Sequence, residues 1–123
     1  MKAAVLIKLL VISALMLTSI TGYAADWAGY NCGPDWGPTK SAAPTYPRRA
    51  RQMGIEGYII MNFSISPDGM IEDISVAEAA PSKAFVRSAT RAVQAMQFPP
   101  CMSNGLATRV TDVSIKYDFN LEG

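Results

Sequence analysis

Residues 55–76 leave little choice of local structure. Ile59, Met61, Phe63 and Ile65 recur at every second position, with Asn62, Ser64 and Ser66 falling between or after them. A period of two puts the apolar side chains on one face of a strand and the polar ones on the other. Pro67-Asp68-Gly69 then makes a turn, proline presetting φ and glycine supplying a positive φ. Residues 70–76, Met-Ile-Glu-Asp-Ile-Ser-Val, return as the second strand. A hairpin with one apolar face cannot stand alone in water. The rest of the chain must cover it.

The cover is legible on both sides. Residues 44–54 predict a short helix, with Pro47 at its first position and Gly54 as its left-handed stop. Arg48, Arg49 and Arg51 cluster there and read as a solvated face. Beyond the hairpin, Pro81 and Ser82 open a second helix with Ser82 as N-cap. Its buried stripe is Phe85, Ser88, Ala89, Ala92, Val93 and Met96, with Lys83, Arg87 and Arg91 on the opposite side. It must stop near Phe98, because Pro99 and Pro100 cannot continue it. A loop through Cys101 and Asn104-Gly105 leads to a long final strand. There Val113, Ile115, Tyr117, Phe119 and Leu121 alternate with Ser114, Lys116, Asp118 and Asn120. Helix, strand, strand, helix, strand predicts an α+β two-layer sandwich, a three-stranded antiparallel sheet with its helices on one face. Whichever edge of that sheet is uncovered presents unpaired N–H and C=O groups.

The first 24 residues read as an address. Lys2 and Lys8 begin a positive segment, residues 9–17 are an apolar run, and Thr18, Ser19 and Thr21 follow. Gly22 and Ala24 stand at −3 and −1 of a cleavage site, so residues 1–24 are expected to leave as a signal peptide. The alternative is an uncleaved inner-membrane anchor, against which the run is shorter than the ~20 residues a bilayer core asks for. Residues 25–43 are Gly- and Pro-rich without a period and read as an irregular arm. Trp27, Tyr30 and Trp36 on it are expected to pack onto the domain of residues 44–123; the other reading is an exposed aromatic platform for a glycan or a partner protein.

Export places Cys32 and Cys101, the two cysteines, in an oxidising compartment and predicts a structural disulfide between them. Free thiols and a two-ligand metal site are the alternatives. Two thiolates without histidine leave a zinc tetrahedron half empty, so no metal and no cofactor is expected.

Composition narrows the function. The 123 residues include no histidine, which removes the usual general base and proton shuttle. An enzyme would need a Ser–Lys or carboxylate pair, and Lys40-Ser41, Ser82-Lys83 and Glu72-Asp73 are neighbours with no motif around them. No catalytic residue is assigned. Eleven basic and ten acidic residues give a net charge of +1, and without residues 1–24 it becomes −1. Nucleic acid is a poor partner for such a balance. A binding module is expected.

Residues 44–121 resemble the C-terminal domain of the TonB family, the periplasmic end of the energy transducer for outer-membrane transport. The matching pieces are Tyr46-Pro47 with Ala50, Gly54-Ile55-Glu56-Gly57, and Phe63-Ser64-Ile65-Ser66-Pro67-Asp68-Gly69. Ala80-Pro81, Phe85, Ala89, Ala92-Val93, Phe98-Pro99 and Phe119-Asn120-Leu121 continue in the same order.

The resemblance implies a last strand at a sheet edge that captures an extended segment, the TonB box, of an outer-membrane TonB-dependent receptor or other envelope protein. It puts the partner contact on Ser114, Ile115, Lys116, Tyr117, Asp118, Phe119, Asn120 and Leu121, with the free edge also offering a route to a homodimer. A full transducer has a retained anchor and a long Pro-rich linker, whereas residues 26–43 in full extension reach ~60 Å. The cysteine pair and the arm's tryptophans depart from the family pattern. The expectation is therefore a periplasmic module for TonB-dependent transport that binds as the family does without pulling. The alternative is an envelope structural or peptidoglycan-binding protein that reuses the fold.

Overall fold

The computed structural model describes residues 23–24, 27–81 and 83–121. Along the chain run β1 (Tyr23–Ala24), α1 (Arg48–Gln52), β2 (Gly57–Ile65), β3 (Ile71–Ala80), α2 (Val86–Gln94), β4 (Cys101–Ser103), β5 (Leu106–Thr108) and β6 (Val110–Phe119). Short 3₁₀ turns lie at Trp27–Tyr30 and Lys83–Phe85. Three long antiparallel strands make the sheet, with β2 between β3 and β6, and the two-residue β1 added outside β6. This is the expected α+β sandwich. Among the described residues no helix is long and apolar enough to cross a membrane.

The alternation of β2 buries Ile59, Met61, Phe63 and Ile65, and that of β6 buries Val113, Ile115, Tyr117 and Phe119. The two rows face the helical layer, whose Phe85, Ala89, Ala92 and Val93 are likewise buried. Phe85 and Phe119 stack at 4.1 Å, and Tyr46 meets both edge-on at 5.9 and 5.6 Å. The Tyr46 hydroxyl donates to the Ile55 carbonyl. Desolvation first, then the Glu56 carboxylate, raises the pKa of that phenol, so it remains a donor at neutral pH. Aromatic packing and one hydrogen bond thus fix α1 against the sheet's end.

Several boundaries move. Pro47, at φ −61° and ψ 133°, is extended and precedes the first helical residue instead of occupying it. Gly54 does take the left-handed stop, at φ +67°. β3 runs on to Ala80, past the apolar alternation, because its last residues pair with Tyr58, Ile59 and Ile60. Ser64 and Ser66, assigned by period to the polar face, are buried. Ser66 instead closes the turn: its hydroxyl accepts the Met70 N–H at 3.1 Å and its own N–H donates to the Met70 carbonyl at 2.8 Å.

The second helix is split. Phe85 belongs to a 3₁₀ turn and stands as N-cap of α2 without a capping side chain, while Ser82 lies outside the described residues. α2 ends at Gln94, ahead of the prolines, because residue 97 is drawn into an antiparallel bridge with Lys40. The segment read as a loop through Cys101 is a tight hairpin, β4–β5, whose Asn104 and Gly105 both have positive φ. Two such residues in sequence build the turn that matches strand twist.

Gly57 carries a packing demand. A Cβ there would lie 2.0 Å from the Ala80 carbonyl oxygen and 2.7 Å from Pro81 Cδ. Backbone cannot step aside as a side-chain tip can. Gly57→Ala is expected to cost about 2 kcal/mol, within the range of overpacked cores. Urea denaturation checks this, and an unchanged midpoint would show that the Gly57 approach is loose.

Candidate functional site

A strand edge becomes a site when its main-chain groups face outward and nothing regular pairs with them. In an antiparallel ladder the N–H and C=O of one residue point to the same side, and the next residue's point to the other. The Ser114 N–H donates to the Tyr30 hydroxyl at 3.0 Å, on the side away from β2. Alternation then aims the main-chain groups of Lys116 and Asp118 outward too. Those of Ile115, Tyr117 and Phe119 serve the ladder to β2, opposite Met61, Ile59 and Gly57.

The eight residues 114–121 therefore divide into three groups. Ser114, Lys116 and Asp118 have exposed side chains on the solvent face of the sheet and outward main chains. Ile115, Tyr117 and Phe119 are at most 3 % exposed and belong to the core. Asn120 and Leu121 lie past the end of β6, and the Leu121 N–H is held by the Glu56 carboxylate at 2.6 Å. On the solvent face Lys116 Nζ sits 3.6 Å from Asp118 Oδ1 and 4.8 Å from the Tyr58 ring centre.

The chain's own N-terminal side already lies along this edge. β1 pairs antiparallel with β6, Ala24 opposite Lys116 and Tyr23 opposite Tyr117. By sequence Tyr23 and Ala24 belong to the address segment, most of which lies outside the described residues. The contacts of Tyr30 with Ser114 and of Glu56 with Leu121 are likewise invisible in the sequence. A two-residue strand has no periodicity to read, and a hydroxyl-to-amide contact 84 residues apart leaves no mark in local pattern.

The arm is positioned by its aromatic side chains and one covalent bond. Cys32 and Cys101 form a disulfide with a Cα–Cα distance of 4.9 Å. Trp36 is 7 % exposed, stacks on Phe98 at 5.2 Å, and donates its indole N–H to the Pro99 carbonyl at 3.0 Å. Trp27 meets Trp36 and Phe98 edge-on at 6.1 and 5.2 Å. The rings cover Phe98 and leave β6 to Tyr30 and β1. Trp36, with its polar atom satisfied inside the protein, is part of the core and offers no platform to a sugar.

Comparison with known proteins converges on one family. Residues 42–121 match the family model described as Gram-negative bacterial TonB protein C-terminal. Protein TonB of Pseudomonas aeruginosa is 41% identical over 68 residues, 55% of this chain and 20% of that protein. Protein TonB of Escherichia coli K12 is 32% identical over 57 residues, covering 46% and 24%. The chain thus spans about a fifth to a quarter of the curated relatives it matches. The solution structure of the Pseudomonas aeruginosa TonB C-terminal domain superposes with a TM-score of 0.59 at 32% identity, covering 74% of this chain and 91% of that one. The TonB2 protein of Vibrio anguillarum gives 0.53 at 28% identity, covering 74% and 92%.

Proposed function

This chain belongs to the Gram-negative bacterial TonB protein C-terminal family, and on that premise we propose that it is a periplasmic binding module of TonB-dependent transport. As a member of that family it is not an enzyme. Its ligand is an extended segment, a TonB box, of an outer-membrane receptor or transport-complex partner. The segment adds as a strand to the outer edge of β6, antiparallel, with Ser114, Lys116 and Asp118 supplying the main-chain groups. Lys116, Asp118 and the neighbouring Tyr58 ring set side-chain preference.

One observation carries this reading. The edge already accepts an antiparallel strand, because β1 occupies it opposite Lys116 and Tyr117. A partner segment of the same direction needs no rearrangement of the sheet. Among the described residues it has two strand residues and the Tyr30 hydroxyl to displace. Cleavage after Ala24, which this reading includes, removes β1 and opens the middle of the edge.

The test is a titration of the oxidised chain 25–123 with a panel of TonB-box peptides, read by backbone NMR. Shifts centred on Ser114, Lys116 and Asp118 are expected; a silent final strand across the panel overturns the proposal. A companion chain that retains Tyr23 and Ala24 is expected to bind about fivefold more weakly. Its tethered strand competes with roughly one net hydrogen bond's worth of free energy, about 1 kcal/mol. Equal affinity would show that β1 does not compete.

A further inference from the structure

Two basic clusters that are separate in sequence face each other in the fold. Arg48 and Arg51 stand on α1, while Lys83, Arg87 and Arg91 stand on the 3₁₀ turn and α2. Between them runs a groove of about 1310 Å³ lined by all five cations and, among the described residues, by no acidic one. Its floor is less polar, with Tyr46, Pro47, Ala84 and Val86. The ion pairs found among the described residues engage Arg109 and Lys116, so none of the five pairs with a described carboxylate. Arg51 lies 5.4 Å from the Tyr46 ring centre, a contact that keeps its charge at the groove.

That is a large concentration of charge for a chain whose overall balance is +1. Five cations in one trough repel one another, and an anionic occupant relieves the repulsion at every position it reaches. The cations are strung out and do not converge. Arg87 and Arg91 are four residues apart on α2, about 6 Å along the helix, and Lys83 precedes them on the 3₁₀ turn. Alternate residues of an extended peptide are about 6.6 Å apart on one side. A carboxylate on every second residue therefore meets the α2 wall cation by cation, while the intervening side chains face the α1 wall and the apolar floor. A single phosphate headgroup would satisfy one or two of these cations and leave the others unpaired.

We propose that this groove is a second binding site, one that takes an acidic extended segment of a protein partner. It is independent of the β6 edge, since no residue of β6 lines it.

The experiment is fluorescence anisotropy with the purified oxidised chain and a labelled decapeptide of alternating glutamate and threonine. A decapeptide with glutamine in place of glutamate is the control. Binding of the acidic peptide alone is expected, with NMR shifts on amides 48–52 and 83–94. Raising salt from 50 to 200 mM should weaken it severalfold, because the contacts are exposed. The double variant Arg87→Gln, Arg91→Gln should weaken it about tenfold, and Arg51→Gln with Lys83→Gln by a similar factor. All four side chains are exposed, so the backbone spectrum should stay native. Equal binding of the two peptides overturns the proposal, as does binding that ignores both double variants. So does absence of peptide binding beside capture of phosphatidylglycerol vesicles through the same cations, which would make the groove a lipid site. TonB-box affinity at β6 should be unchanged in these variants, so failure of one site does not mimic failure of the other.

Discussion

Replacing Cys32 and Cys101 together by alanine should lower the unfolding free energy by about 4 kcal/mol, the value chain entropy assigns to a closed loop of this length. The two cysteines are 69 residues apart, so the bridge restrains more than half of the chain while it is unfolded. For a domain of this size, total stability is about 5–15 kcal/mol, so the loss takes a large share. Native contacts would not vanish with it. Trp36 would keep its stack on Phe98 and its hydrogen bond to Pro99, and Thr39 its 2.7 Å bond to the Gln97 carbonyl. Urea denaturation of the wild-type and doubly substituted proteins, followed by tryptophan emission, measures the difference. A loss below about 1 kcal/mol would show that the arm is held by its rings and that the bridge is incidental to stability.

The parts of this molecule that were legible in its sequence are those governed by short-range periodicity. Ile59 to Ile65 and Val113 to Phe119 declared their buried faces because a strand exposes every second side chain to one environment. The turn at Pro67-Asp68-Gly69 was readable because Gly69, at φ +88°, takes a conformation that favours glycine. A Cβ there would also lie 2.2 Å from the Phe98 carbonyl oxygen, a restriction that local pattern does not contain. Helix ends were less legible. Prolines 99 and 100 set an outer limit, but the bridge between Lys40 and Gln97 ended α2 earlier. That bridge joins segments 57 residues apart.

The candidate site follows the same division. Exposure of Ser114, Lys116 and Asp118 against burial of Ile115, Tyr117 and Phe119 was fixed by alternation. The direction of their main-chain groups became clear only from the Tyr30 hydroxyl, and the occupancy of the edge only from β1. The groove shows the limit from another side. Arg48 and Arg51 read correctly as exposed, as did Lys83, Arg87 and Arg91, yet exposure says nothing about which exposed charges will face one another.

Lys116→Pro should abolish capture of the extended segment, with at least about a hundredfold loss of affinity, while the domain stays folded. Alternation directs the Lys116 N–H away from β2, so the proline deletes an outward donor and spares the ladder inside the sheet. Proline is tolerated on edge strands for this reason. A ligand strand then loses one hydrogen bond at the middle of the edge and meets the ring where its own backbone should lie, a combined cost of about 3 kcal/mol. Lys116→Ala is the matching control. It removes the exposed ion pair with Asp118 and the contact with the half-buried Tyr58, and should change affinity by threefold at most. Ile115→Pro supplies the opposite contrast, since its N–H serves the ladder to β2 and the substitution should unfold the sheet. Peptide titration beside a backbone NMR spectrum reads all three. Binding that survives Lys116→Pro in a natively folded chain would place the partner away from β6, because no side-chain contact can replace a donor that strand addition requires.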